Sequence, residues 1–231
     1  MFVNVDHTQF EVVGHKFADL SEYGLGCALV NNAKYGYSCF KVNTLSFSLC
    51  GSYLNFEFWS ISLFHPLIEI QNLLRLSLLR SPKRPDANTD IHRHFIQYCL
   101  LPHGESLQES EVIPFSQNYN QPLRYIEHKP TECGLEGMSF FNVSTKEVVL
   151  DTVKMTQDGT GDVVLRMYEA FGGRTECVVK VGFDVQRANL CNLLEDVAEE
   201  VSVSKQENGS GGCRMTLFFE PFEIKSVRLS V

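Results

Sequence analysis

From residue 140 onward, short apolar runs alternate with turn-forming residues. FFNVSTKEVVLDTVKM, DVVLRMYEAF, TECVVKVGFDV and CRMTLFFEPFEIKSVRLSV are β-branched and aromatic, several with period two, which predicts strands. In VVLRMYEAF one face carries Val164, Arg166, Tyr168 and Ala170, and the other Leu165, Met167, Glu169 and Phe171. Apolar side chains on both faces predict a strand partly covered on both sides. Asp158-Gly159 and Gly172-Gly173 stand at hairpin positions, and Asn208 to Gly212 opens a longer loop. The acid-rich LLEDVAEEV, residues 193 to 201, reads as irregular.

The first half has the same character. FEVVGHKFADL, GCALVNNAKYGYSC, LLRLSLLR and HFIQYCLLPH are strand candidates, and convincing helical periods are few. Pro114, Pro122 and Pro130, with HKPTECGLEG, mark a boundary near residue 130. The expected fold is all-β: stacked antiparallel β-sandwiches.

One stretch departs from this rhythm. SLCGSYLNFEFWSISLFHPLIEIQ, residues 48 to 71, carries only Glu57 and Glu69 as charges and is rich in Phe, Leu, Ile and Ser. Glu57, His65, Pro66 and Glu69 interrupt the roughly 20 apolar residues that a membrane span requires, so it is not read as an anchor.

Composition narrows the function. With 231 residues, 44% of them hydrophobic, the chain can bury a core. A net charge of −8, with no basic cluster beyond Lys83-Arg84, argues against nucleic acid as a partner. No secretory signal begins the chain, so a cytoplasmic location is expected. The eight cysteines form no C-x-x-C pair and read as free thiols. The sequons at Asn142 and Asn208 read as chance. His92 and His94, with His103 nearby, have no third ligand at metal-binding spacing; Glu105, Glu109 and Glu111 read as a solvated acidic loop. No nucleophile elbow, phosphate loop or dinucleotide fingerprint is present, and no catalytic or metal-binding residue is assigned.

SEYGLGCALVNNAKYGYSC, LLRLSLLRSPKRPD, PHGESLQE, VVLDTVKMTQDGTGDVVLRMYEAFGG and FEPFEIKSVRLSV resemble, in order, the C-terminal part of glycoside hydrolase family 38 α-mannosidases, closest to the cytosolic or vacuolar branch. The resemblance implies that residues 1–128 are part of a large, incomplete β-sandwich and residues 129–231 a small C-terminal one. In this family the aspartate nucleophile and zinc ligands belong to an N-terminal α/β catalytic domain. The resemblance therefore implies a non-catalytic region, inactive alone and without a cofactor of its own. Its implied partners are that catalytic domain and mannose-containing oligosaccharides. The vacuole and lysosome are the alternative locations. A loop of this region approaches the sugar cleft in relatives, and by position it corresponds to Asn31, Asn32, Lys34, Tyr35, Gly36 and Tyr37, with Arg80 on the following strand. Amides and Lys can hydrogen-bond sugar hydroxyls and Tyr can stack on a sugar face; a tight turn that packs an interdomain face is the other account. The family carries Asn-Asp where this chain has Asn31-Asn32, so a negative charge is lost.

The family also runs from the YGYS-like motif into the N-x-x-R-L-S-L-L-R strand with three residues between. Deleting Val42 to Gln71 restores that spacing. Lys41-Val42 can be encoded with a splice-donor sequence and Gln71 as an acceptor end, so residues 42–71 are expected to be a foreign insertion or retained intron. The strand ending near Cys39 and the one starting near Asn72 should then be joined by a short turn. The alternative is a family-specific hairpin insertion, which would place Phe47, Phe56, Phe58, Trp59 and Phe64 in a loop and expose an apolar patch. The expected function is the non-catalytic C-terminal region of an α-mannosidase that hydrolyses terminal α-mannose from oligosaccharides. The alternative is a non-enzymatic β-sandwich that binds carbohydrate or a partner protein.

Overall fold

A computed structural model describes residues 11–42, 53–58, 71–127, 139–205 and 212–231. The chain divides into two compact units, Met1–Ile126 and Glu127–Val231. Each is built of antiparallel sheets, as the alternating pattern requires.

The first unit contains β1 (Val12–Val13), β2 (Phe17–Glu22), β3 (Leu25–Asn31), β4 (Gly36–Val42), β5 (Tyr53–Phe58), β6 (Gln71–Ser77), β7 (Tyr98–His103) and the helix α1 (Val112–Asn120). Four strands form a sheet in the order β1-β4-β6-β5, and three form another in the order β2-β3-β7. Ala18, Leu29, Tyr37, Leu74 and Leu76 fill the core between these sheets. Ala28 and Val30 pack instead with Val112 of α1. The central strand β3 is thus covered on both faces, which accounts for the unbroken apolar run Cys27-Ala-Leu-Val30.

The sequence pattern did not predict α1. Pro114 is its third residue, where the backbone N–H has no intrahelical partner to lose, so the proline that read as a boundary is accommodated in the first turn.

The strands flanking the aromatic stretch are direct neighbours. Cys39 pairs with Leu74, Phe40 with Leu73, Lys41 with Asn72 and Val42 with Gln71. Strand β5, from within that stretch, pairs with the other side of β6, from Phe58 opposite Asn72 to Tyr53 opposite Ser77. Phe56 and Phe58 therefore stand on an edge strand and not in a loop. Phe47, Trp59 and Phe64 lie outside the described residues.

The second unit contains β8 (Phe141–Val143), β9 (Val148–Met155), β10 (Val163–Glu169), β11 (Thr175–Val181), β12 (Arg187–Cys191), β13 (Val197–Val201), β14 (Val203–Lys205), β15 (Cys213–Phe219) and β16 (Ile224–Ser230). A five-stranded sheet, β13-β12-β16-β10-β9, and a four-stranded sheet, β14-β15-β11-β8, share one core. Strand β15 alternates strictly, with Cys213, Met215, Leu217 and Phe219 buried. In β10, Leu165 and Met167 join the core, whereas Val164 is fully buried outside that cluster, so both faces are covered there. The register of β10 against β9 shifts after Arg166, leaving Asp151 as the extra residue of a bulge.

Asp158-Gly159 does close the β9–β10 hairpin. Gly159 has φ +73°, and the Asp158 carboxylate accepts the Thr160 N–H at 3.1 Å. Gly172-Gly173 is different: β10 and β11 belong to different sheets, so the dipeptide turns a corner between sheets and makes no hairpin. Residues 197 to 201, read as irregular, are the edge strand β13, where Glu199 and Glu200 are exposed. Charges on an edge discourage pairing with another chain, so acidity there is compatible with a strand. Asn208 to Gly211 and residues 128 to 138, including Pro130, lie outside the described residues.

Candidate functional site

The loop joining β3 to β4 is held by Asn31. Its side-chain oxygen accepts the N–H groups of Ala33 at 3.2 Å and Lys34 at 2.7 Å, and its amide donates to the Tyr37 hydroxyl. Its backbone N–H donates to the Lys16 carbonyl at 2.9 Å, and its carbonyl accepts from the Asn120 side chain at 3.1 Å. Asn31 and Tyr37 are each 1% exposed. Burial pushes the Tyr37 hydroxyl up to about 12, against the opposing effect of its bond with Asn31. These two residues therefore scaffold the loop and present nothing to a ligand. At Gly36 a Cβ would meet the flexible end of the Glu11 side chain and lie 3.1 Å from Cβ of Ser77, a close but adjustable fit.

The remaining residues of the loop face solvent. Tyr35 is 54% exposed, and its ring lies 5.0 Å from that of His15 at an interplanar angle of 56°. The Tyr35 carbonyl is tied to the Gly14 N–H at 2.8 Å. The exposed Asn32 amide donates to Gln97 at 3.0 Å, and Lys34 is partly exposed. Arg80 lies beyond the end of β6 and is exposed, not on the strand. Because β6 runs antiparallel to β4, it leaves the sheet at the end where β4 begins. The turn between β1 and β2, the β3–β4 loop, the residue preceding β7 and the last turn of α1 thus converge at one end of the first unit. His15 and Gln97 belong to this assembly and carry no sequence signal, being single polar residues distant from the loop along the chain.

The other candidates lie elsewhere. His92 and His94 have ring centroids 4.1 Å apart, but His94 is engaged with the Asp90 carbonyl at 2.8 Å. His103, at the opposite end of β7 from the loop, contacts Asp19 at 2.9 Å and the Glu105 carbonyl at 2.8 Å. That hydrogen-bonded contact is nearly buried, with side chains 8% and 5% exposed, and it laces β7 to β2 across β3. An open cavity of about 430 Å³ beside it is lined by His103, Glu105, Ser110 and Glu111 among others. Glu109 accepts from Ser106 at 2.6 Å. Among the described residues no group of three His, Cys, Asp or Glu side chains could hold a metal ion. The six cysteines among them are free thiols, each raised by burial. None of the helices among the described residues is long and apolar enough to cross a membrane.

A polar, partly aromatic loop on one of two antiparallel β units marks a β-sandwich region. Residues 147–227 match the family described as the glycosyl hydrolases family 38 C-terminal beta sandwich domain. The chain is 36% identical over 226 residues to Alpha-mannosidase 2C1 of Mus musculus, a match that covers 97% of this chain and 18% of the relative. It is 34% identical to Alpha-mannosidase G of Dictyostelium discoideum, covering 96% and 18%. A crystal structure of a glycosyl hydrolase family 38 protein from Enterococcus faecalis shares the fold, with a TM-score of 0.61 and 13% identity over 94% of this chain and 22% of that one. Residues 147–227 thus carry the C-terminal β-sandwich domain of glycoside hydrolase family 38, and the chain as a whole is similar to α-mannosidases, spanning about a fifth of the length of the relatives it matches.

Proposed function

We propose that this chain is the non-catalytic C-terminal β region of an α-mannosidase that removes terminal α-mannose from oligosaccharides. The observation that carries the proposal is coverage. Nearly the whole chain aligns with α-mannosidases, yet it accounts for 18% of their length. Its partner is the catalytic domain of such an enzyme, and its Asn32, Lys34 and Tyr35 face the substrate from the β3–β4 loop. Zinc, in this reading, belongs to the catalytic domain. The location proposed is the cytoplasm.

The test is hydrolysis of an aryl α-mannoside by this chain alone and together with a separately supplied family 38 catalytic domain. Activity only in the mixture supports the proposal. Zinc-dependent turnover by the chain alone overturns it, and so does a mixture no more active than the catalytic domain by itself.

A further inference from the structure

We infer that Gln97 and His15 complete a saccharide-binding surface with Asn32, Lys34 and Tyr35, in which Gln97 binds the sugar directly and His15 positions the Tyr35 ring. The inference rests on the proposed role of the β3–β4 loop and adds two residues from distant parts of the chain. A saccharide is bound by an aromatic face set beside amides that donate and accept hydrogen bonds to neighbouring hydroxyls. The end of the first unit supplies both. The Asn32 amide is committed to the Gln97 oxygen at 3.0 Å. Each primary amide has a carbonyl and an NH2 group, so the bonded pair still offers an acceptor on Asn32 and a donor on Gln97. Neither has another partner among the described residues, and both side chains are exposed.

The surface is also preorganised. Asn31 fixes the loop backbone through Ala33 and Lys34, and Gly14 fixes it at Tyr35. The His15 ring stands 5.0 Å from Tyr35 and restricts the half-exposed phenol ring. A ligand therefore meets a loop whose ordering cost is already met by the fold. A turn serving only to connect two strands needs neither an exposed aromatic pair nor a side-chain hydrogen bond to a residue 65 positions away.

The probe is methyl α-D-mannopyranoside, titrated into the full chain while backbone amide resonances are followed by NMR. The amides of Asn32, Tyr35 and Gln97 are expected to shift together. Gln97→Glu is the deciding variant. Its carboxylate still accepts the Asn32 amide, so a purely structural role is preserved, but the outward donor is gone. Loss of that bond should weaken mannoside binding about fivefold with no change in melting temperature. His15→Ala should weaken binding without altering the Asn32–Gln97 bond, and Tyr35→Phe should retain the stacking face. Unshifted loop amides at saturating mannoside, or a Gln97→Glu chain that binds as well as the parent, overturn the inference. Reconstituted hydrolysis with the catalytic domain is read separately. Activity in the mixture combined with an unaffected Gln97→Glu variant rejects this surface while leaving the proposed function standing.

Discussion

The Glu169 carboxylate at the end of β10 accepts the backbone N–H of Phe222, 53 residues later, at 2.9 Å. It also accepts the N–H groups of Phe171 and Gly172, each at 2.8 Å. Two corners where the chain passes between the sheets of the second unit, β10 to β11 and β15 to β16, are therefore pinned by one side chain that is 1% exposed. Gly172, at φ +78°, allows the approach, because a Cβ would lie 2.6 Å from Cζ of Phe222.

Replacing Glu169 should loosen both corners at once. Glu169→Gln would turn an NH2 toward donors, and Glu169→Ala would take the acceptor from three part-buried N–H groups at once, so each is expected to cost about 2–4 kcal/mol. Urea unfolding at neutral pH would measure this. Near-parental stability of Glu169→Ala would reject the pin.

The same carboxylate predicts an acid response. Burial alone would raise it, but the backbone N–H groups around it hold it below its ordinary value of 4.5. A lowered folded value contributes stability that is fully present above 4.5 and is lost as pH falls through the folded value. The melting temperature of the parent should therefore drop more steeply below pH 4.5 than that of Glu169→Gln. Parallel curves would show that Glu169 does not carry the acid sensitivity.

Legibility in the sequence followed the range of the interactions. The strict alternation of Cys213 to Phe219 was readable because each residue's face is set by its immediate neighbours. The same reasoning missed the destination of the strand after Gly172-Gly173, since a glycine pair reports a reversal and not which sheet receives the next strand. Pro114 hid α1 because proline in a first turn and proline at a break look alike locally. At the site, Asn32, Lys34 and Tyr35 were named through resemblance to a family, as were Asn31 and Tyr37, which prove to be scaffold. Gln97 and His15 acquire meaning only when β7 and the β1–β2 turn are brought beside the loop.

The division between scaffold and surface is itself testable. Asn31→Ala removes the acceptor for two loop N–H groups and strands the buried Tyr37 hydroxyl, so a loss of about 2–3 kcal/mol is expected. Asn32→Ala, on an exposed side chain, should stay within about 0.5 kcal/mol. Thermal unfolding of the two variants side by side decides the matter, and equal losses would contradict the assignment.

The register of β4 against β6 makes the aromatic stretch removable on paper. With Val42 to Gln71 deleted, Lys41 would be followed directly by Asn72, and Phe40 would remain opposite Leu73. Lys41 and Asn72 would then be the two residues of a hairpin turn, a length that antiparallel strands favour and a position that Asn tolerates. The deletion sacrifices β5, which pairs only at the edge of the sheet, and keeps Tyr37, Leu74 and Leu76 in the core. It also removes a β-prone, nearly uncharged segment of the kind that promotes association between chains. The shortened chain is expected to fold with slow amide exchange retained along β4 and β6, and to be more soluble and more stable than the parent. A transcript spliced from Lys41 to Asn72 would give the same result at its source. A deletion chain that loses protection at Ser38 to Phe40 and Leu73 to Arg75 would show instead that the stretch is an integral part of the first unit.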